Sequence, residues 1–410
     1  MTGNPEIVAV PELLRRPAVS RSIWPLEGRL DFLNHGSFGS CPKPVLAFQS
    51  QVRERMERQP VQFLVRDLES CLDRAREELA GFVGATPEDL VFVPNATTGV
   101  NAVLRSLPFR PGDELLVTNH EYNACRNALD HAAAGRRARV VVANIPFPLH
   151  DAGQIHEAIA RVISPKTRLA LLDHVTSQTA LVLPIQGLVA SLRERGIETL
   201  VDGAHAPGML PLHLDRLGAA YYTGNCHKWI CAPKGAGFLH VRRDRQKGIR
   251  PTVISHGANS PRRDRSRFLI EFGWTGTWDP SAWLSVPEAI RFMGSLVPGG
   301  WPEIMRRNQG LAVAARRLVC RALDQDLPCP DRLLGAMASL PLPPGALDQA
   351  LDSPLYADPL QEQLLRTSRI EVPVIPWPAP PARLLRFSCQ LYNALPQYQR
   401  LGSALRRCLR

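Results

Sequence analysis

Lysine is scarce in this chain. Only five occur among 410 residues (Lys43, Lys166, Lys228, Lys234 and Lys247), so the excess of 49 basic over 38 acidic residues rests on arginine. The arginines are scattered, and short clusters such as "PRRDRSR" at 261–267 are not interleaved with aromatics. The footprint of a nucleic-acid surface is therefore missing, while phosphates and carboxylates stay open as small acidic partners. No apolar run is long enough to span a membrane and no leader peptide is recognisable, which predicts a cytoplasmic protein without a membrane partner. Nine cysteines are present, but paired C-x-x-C spacings and a small-domain disulfide framework are not, so reduced thiols are expected. Cys226, His227 and Cys231 lie close together without a second ligand pair, and no metal site is predicted.

What is present is ordinary globular material, 45% apolar and 21% charged, enough for two or three structural units. Residues 1–28 read as an N-terminal arm, 29–290 as a large domain and 291–410 as a smaller C-terminal one. Helical spacing recurs in "VLAFQSQVRERMERQP" and in "RDLESCLDRAREELAGFVGA", where Leu68, Leu72, Ala75, Leu79 and Phe82 share a face. From 90 to about 240, short apolar segments ("LVFVPN", "ELLVTN", "RVVVANI", "RLALLDHV", "IETLVDGA", "AAYYTGN", "GAGFLHV") alternate with helical ones. That rhythm predicts an α/β fold with a mainly parallel sheet covered on both faces, its chemistry at the strands' carboxyl ends. After 290 a long helix, a proline-rich section at 341–381 and a closing helix predict an α+β unit.

The polar signals follow the predicted strands. In "PNATTGVNAVL", Ala96, Thr97 and Thr98 open a helix and can face an anion, or Thr97 or Thr98 can simply cap it. "LVDGAHAPG" ends a very apolar strand on Asp202, a carboxylate that needs a partner when buried, with His205 three residues on. "AAYYTGNCHKW" places Lys228 at a strand end, whereas Lys234 before Gly-Ala-Gly reads as a solvated turn lysine. An anion cradle, a strand-end aspartate and a strand-end lysine together match the needs of pyridoxal phosphate: phosphate anchor, ring-nitrogen partner and Schiff-base lysine.

In the order "LNHGSFG", "NATTGVNAVL", "HEYNA", "DHVTSQTALVLP", "VDGAHAPG", "GNCHKWICAPKGAGFL", "ISHG", "WTGTWDPSAWL" and "RFSCQLYN", the chain resembles class V pyridoxal-phosphate enzymes of fold type I. The resemblance is greatest to the isopenicillin N epimerase-like family. It implies a large domain with a mainly parallel seven-stranded sheet and a smaller α+β C-terminal domain. It implies that Lys228 forms the Schiff base, Asp202 pairs with the ring nitrogen, and His205 neighbours the ring's phenolic oxygen. Ser177 and Gln178 take the place of contacts to that oxygen. Tyr122 matches the ring-stacking aromatic; Ala96, Thr97 and Thr98 match the phosphate grip, with Asn225 and His227 as further phosphate-side contacts. Thr277 resembles a residue that reaches the partner subunit's phosphate, which implies a homodimer with shared active sites. Arg386 matches the arginine that holds the substrate's α-carboxylate. Asn34 and His35 lie on the substrate side, His35 as an acid/base or as a loop-ordering hydrogen bonder.

The resemblance implies an enzyme working at the α-carbon of an amino-acid substrate, and it leaves the reaction open. One reading is epimerisation with Lys228 as proton base, in specialised metabolism. The other is β-elimination from a cysteine S-conjugate, as in making a sulfur-containing antibiotic. Aminotransfer, desulfuration and a non-catalytic binding role are weaker. A desulfurase would carry a nucleophilic cysteine shortly before the carboxylate arginine, and the run 364–386 has none.

Overall fold

The computed structural model describes residues 12–345 and 358–409. The start of the predicted arm and part of the proline-rich section lie outside the described residues. In chain order the strands are β1 (Asp31–Phe32), β2 (Leu90–Val93), β3 (Glu114–Thr118), β4 (Arg139–Ala143), β5 (Thr167–Asp173), β6 (Glu198–Gly203), β7 (Tyr221–Asn225), β8 (Gly237–Val241), β9 (Met337–Leu342), β10 (Ile370–Glu371), β11 (Val374–Pro376) and β12 (Arg383–Ser388). The seven segments predicted from apolar runs form one sheet in the order β2-β8-β7-β6-β5-β3-β4. Strands β3 to β7 run parallel to one another, while β8 runs antiparallel to β7 and β2. Every residue of β2, β3, β7 and β8 is buried, as expected for strands covered on both faces. The mainly parallel α/β architecture is thus the one the sequence predicted.

Helices α1 (His35–Phe38), α2 (Lys43–Arg58), α3 (Leu68–Val83), α4 (Ala96–Ser106) and α5 (Asn123–Arg136) follow from sequence periodicity, apart from the short α1. Leu68, Leu72, Ala75 and Leu79 of α3 are buried, each large aliphatic stabilising the fold by about 1.5–3 kcal/mol. Phe82, at the end of that stripe, is half-buried and packs on Trp301. Gly84 then ends the helix in the left-handed conformation (φ 65°). Helix α4 is held close to the sheet because Gly99 has no side chain: a Cβ there would lie 2.2 Å from Thr223 Oγ1 on β7.

The C-terminal part holds a three-stranded antiparallel sheet, β11-β12-β9, with helices Gly300–Leu323 and Leu395–Cys408 packed together. The proline-rich section contains a helix that its composition hid, Pro359–Ser368. Asp358 caps it by accepting from the Leu360 N–H, and Pro359 takes the first helical position, where no N–H is needed. Near the N-terminus, β1 pairs in parallel with β10 in register Asp31↔Ile370, which carries the loop after β1 to the C-terminal sheet.

Candidate active site

The carboxyl ends of β5, β6 and β7 converge on one group of residues. Asp202 is the fifth residue of β6, and Lys228 follows the end of β7 by three. Lys228 Nζ lies 3.0 Å from Nε2 of His205, which sits in the turn after β6. Burial lowers the Lys228 ammonium to about 7, with the Arg386 charge adding to it and Asp202 opposing. Burial likewise keeps His205 neutral, reinforced by the charges of Lys228 and Arg386. Asp202 Oδ1 accepts from the Ala204 N–H (2.9 Å) and Oδ2 from the Cys125 thiol (3.0 Å).

Arg386 stands on β12 and is buried. Its guanidinium donates to the Ser177 carbonyl (2.7 Å) and hydroxyl (3.2 Å), and to Ser37 Oγ (2.6 Å). Ser37 in turn donates to Asn34 Oδ1 (2.6 Å). Asn34 therefore connects to the arginine through Ser37, a residue the sequence reading passed over. The neighbouring loop is fixed by Ser339 Oγ donating to the Gln178 carbonyl (2.7 Å).

His35 is fully buried, with both ring nitrogens engaged. Nδ1 lies 2.8 Å from the Tyr392 hydroxyl and Nε2 lies 3.0 Å from the Lys228 carbonyl. Nε2 also lies 3.3 Å from the Gln390 side-chain nitrogen, so the ring links Tyr392, Gln390 and the lysine's peptide. Burial lowers this imidazole to about 3. The contact orders the lysine's peptide. Lys234 Nζ donates to the Gly39 carbonyl (3.2 Å), tying the same two loops together from the exposed side. Gly39 has φ 67°, and a Cβ there would lie 2.0 Å from the His227 carbonyl oxygen and 3.0 Å from Lys228 Cα.

At the start of α4 the cap is Asn95: its Oδ1 accepts from the N–H (2.9 Å) and hydroxyl (3.1 Å) of Thr98. Neither of the two threonines proposed as caps fills that role. Ala96 N–H donates to Asn225 Oδ1 (2.8 Å), and His227 Nδ1 lies 3.3 Å from the Ala236 carbonyl. Among the described residues, Thr97 Oγ1 makes no side-chain hydrogen bond. Tyr122 stands before α5, half-buried. Thr277 lies in an exposed loop, and among the described residues no hydrogen bond joins it to the Lys228 group.

The family model "Aminotransferase class-V" matches residues 45–314. The chain belongs to the class V aminotransferase family. Isopenicillin N epimerase of Amycolatopsis lactamdurans is 38% identical over 388 residues, covering 91% of this chain and 94% of that protein. Putative L-cysteine desulfhydrase 1 of Oryza sativa subsp. japonica is 32% identical, covering 83% of this chain and 72% of the other. Among solved structures, a C-DES mutant with glycine covalently linked to its PLP cofactor superposes with a TM-score of 0.76 at 22% identity, covering 94% and 98% of the two chains. The likeness to that structure shows the fold.

Class V enzymes use pyridoxal phosphate, and the residues here fit it. Two buried polar atoms, His205 Nδ1 and Gln178 Oε1, have no partner among the described residues. A lysine in the range of its free amine stands beside a strand-end carboxylate, and a threonine hydroxyl opens the neighbouring helix. Lys228 would link the cofactor, Asp202 would face the ring nitrogen, and the start of α4 the phosphate.

Proposed function

We propose that this protein inverts the α-carbon of an amino-acid substrate, in the manner of the isopenicillin N epimerases it is similar to. The observation that carries this reading is Lys228, whose ammonium is held near 7 and whose Nζ sits 3.0 Å from His205. An amine poised near neutrality takes and returns a proton efficiently. Pyridoxal phosphate, when bound, supplies the electron sink that makes the α-proton removable. Arg386, oriented by Ser177 and Ser37, receives the substrate carboxylate as a planar fork. Asp202 would stand at the ring nitrogen. Ser177, Gln178 and His205 would face the phenolic oxygen, Tyr122 the ring, and Thr97, Thr98, Asn225 and His227 the phosphate side. The enzyme works as a cytoplasmic homodimer in which Thr277 of each subunit reaches the other's phosphate site.

A second reading, elimination from a cysteine S-conjugate, is supported by the likeness to L-cysteine desulfhydrases. Neither reading calls for a protein persulfide: the run 364–386 lacks cysteine, and the buried Cys389 has its thiol pushed up by desolvation. Proton NMR of the cofactor-loaded enzyme in D₂O with a panel of amino acids and cysteine S-conjugates separates the two. Intact substrate, deuterated at the α-carbon and of mixed chirality, is the expected result. Pyruvate with a free thiol would replace epimerisation by β-elimination.

A further inference from the structure

We propose that Glu121 and Asp173 form a proton-sharing carboxyl pair behind Asp202, so that Asp202 is the carboxyl group of the three presented to the cofactor ring. The proposal rests on the reading of Asp202 as ring-nitrogen partner. Asp173 ends β5 and is the in-register neighbour of Asp202 on β6. In-register residues on adjacent parallel strands are about 4.8 Å apart and point to the same face. Glu121 lies three residues beyond the end of β3, the other neighbour of β5, so three carboxylates meet at one place on the sheet's edge.

All three are buried, Glu121 at 6% exposure and the two aspartates at 2% each. Asp202 is provided for, by the Ala204 N–H and the Cys125 thiol. The other two are less well provided for: among the described residues no side chain donates to either oxygen of Glu121 or to Oδ2 of Asp173, and the Tyr122 backbone lies against Glu121. Nor do basic side chains balance them. The cation whose charge reaches Asp173 is Lys228, itself pushed toward the free amine. Three buried anions beside one half-titrated lysine is not a stable arrangement, and neighbouring carboxyls resolve it by holding a proton between them.

The surroundings favour that proton. Burial raises the Glu121 carboxyl well above the ordinary range, and the charges of Asp173 and Asp202 raise it further. Burial and the Asp202 charge raise Asp173 as well. Glu121 and Asp173 thus hold one proton between them. The Cys125 thiol, also raised by burial and by Asp202, stays protonated as donor to Asp202. Glu121 and Asp173 act as positioning residues for Asp202.

The test is infrared difference spectroscopy of the cofactor-free protein against Glu121→Gln at mildly alkaline pH, in H₂O and D₂O. A buried carboxylic-acid carbonyl band, sensitive to deuteration and absent from the variant, is expected. A wild-type spectrum without such a band overturns the pair, even if the variant does not fold; so does a band undiminished in the variant. As a second readout, Glu121→Gln should bind pyridoxal phosphate within about twofold of wild type, because the amide can donate to Asp173, and a loss beyond about tenfold would show that Glu121 must be charged. Asp202→Asn should lose at least about tenfold in the same titration. Unchanged binding there would remove Asp202 from the ring nitrogen while leaving the pair to stand or fall on its infrared band.

Discussion

At the scale of single residues, the arrangement turns on how burial sets charge. Lys228 has a folded value of about 7 against an ordinary 10.5. Below pH 7 both folded and unfolded chains hold that proton, and its burial penalty is fully present. Between 7 and 10.5 the unfolded chain alone holds it, so the penalty fades as pH rises. Lys228→Met should therefore melt higher than the cofactor-free wild type at pH 7, by on the order of a few kcal/mol, and the gap should close toward pH 10. A gap independent of pH would mean that Lys228 is not desolvated. Arg386→Ala should weaken amino-acid binding by about 2–5 kcal/mol, measured by calorimetry, and Asn34→Ala by less, since it acts through Ser37. Equal affinities would move the carboxylate site elsewhere. Much of this was legible in the sequence: Asp202, His205 and Lys228 all announce themselves as polar residues closing apolar strands. Asp173 closes "RLALLD" in the same way and could have been found by the same signal. Ser37, Tyr392 and Glu121 carry no such signal, because their partners lie on segments brought together only by the fold.

At the scale of elements, two close approaches fix the lysine's surroundings. Gly39→Ala puts a methyl onto the His227 carbonyl and strains a left-handed backbone, so the loop after β7 must move. Cofactor affinity, followed by visible absorbance, should fall by tenfold or more (about 1.4 kcal/mol), with helical content kept; wild-type affinity would show that the loop is free to adjust. Asn95→Ala removes the cap of α4 and should cost about 1 kcal/mol in chemical denaturation. The strands were readable because burial on both faces leaves unbroken apolar runs. The helix Pro359–Ser368 was not, since its proline signals a turn as readily as a helix start, and its cap Asp358 becomes meaningful only with the Leu360 N–H in place.

At the scale of the whole molecule, the proposed dimer has a physical correlate. Phe38, Val61, Val65, Val253 and Ile254 are large apolar residues left exposed on the single chain. Sedimentation should give a dimer that the double variant Val65→Asp, Ile254→Asp dissociates; a wild-type monomer at micromolar concentration would contradict shared active sites. The order of sheet motifs along the chain revealed the fold class. The pairing of β1 with β10, which brings Asn34 and Ser37 to Arg386, joins segments more than 330 residues apart and has no local mark.

The central claim is that Lys228, and not Lys234, holds the cofactor. Borohydride reduction of the loaded enzyme followed by peptide mapping tests it most directly. The account predicts a pyridoxyl group on the peptide containing Lys228 and an unmodified Lys234. Label on Lys234, or on neither, would contradict it.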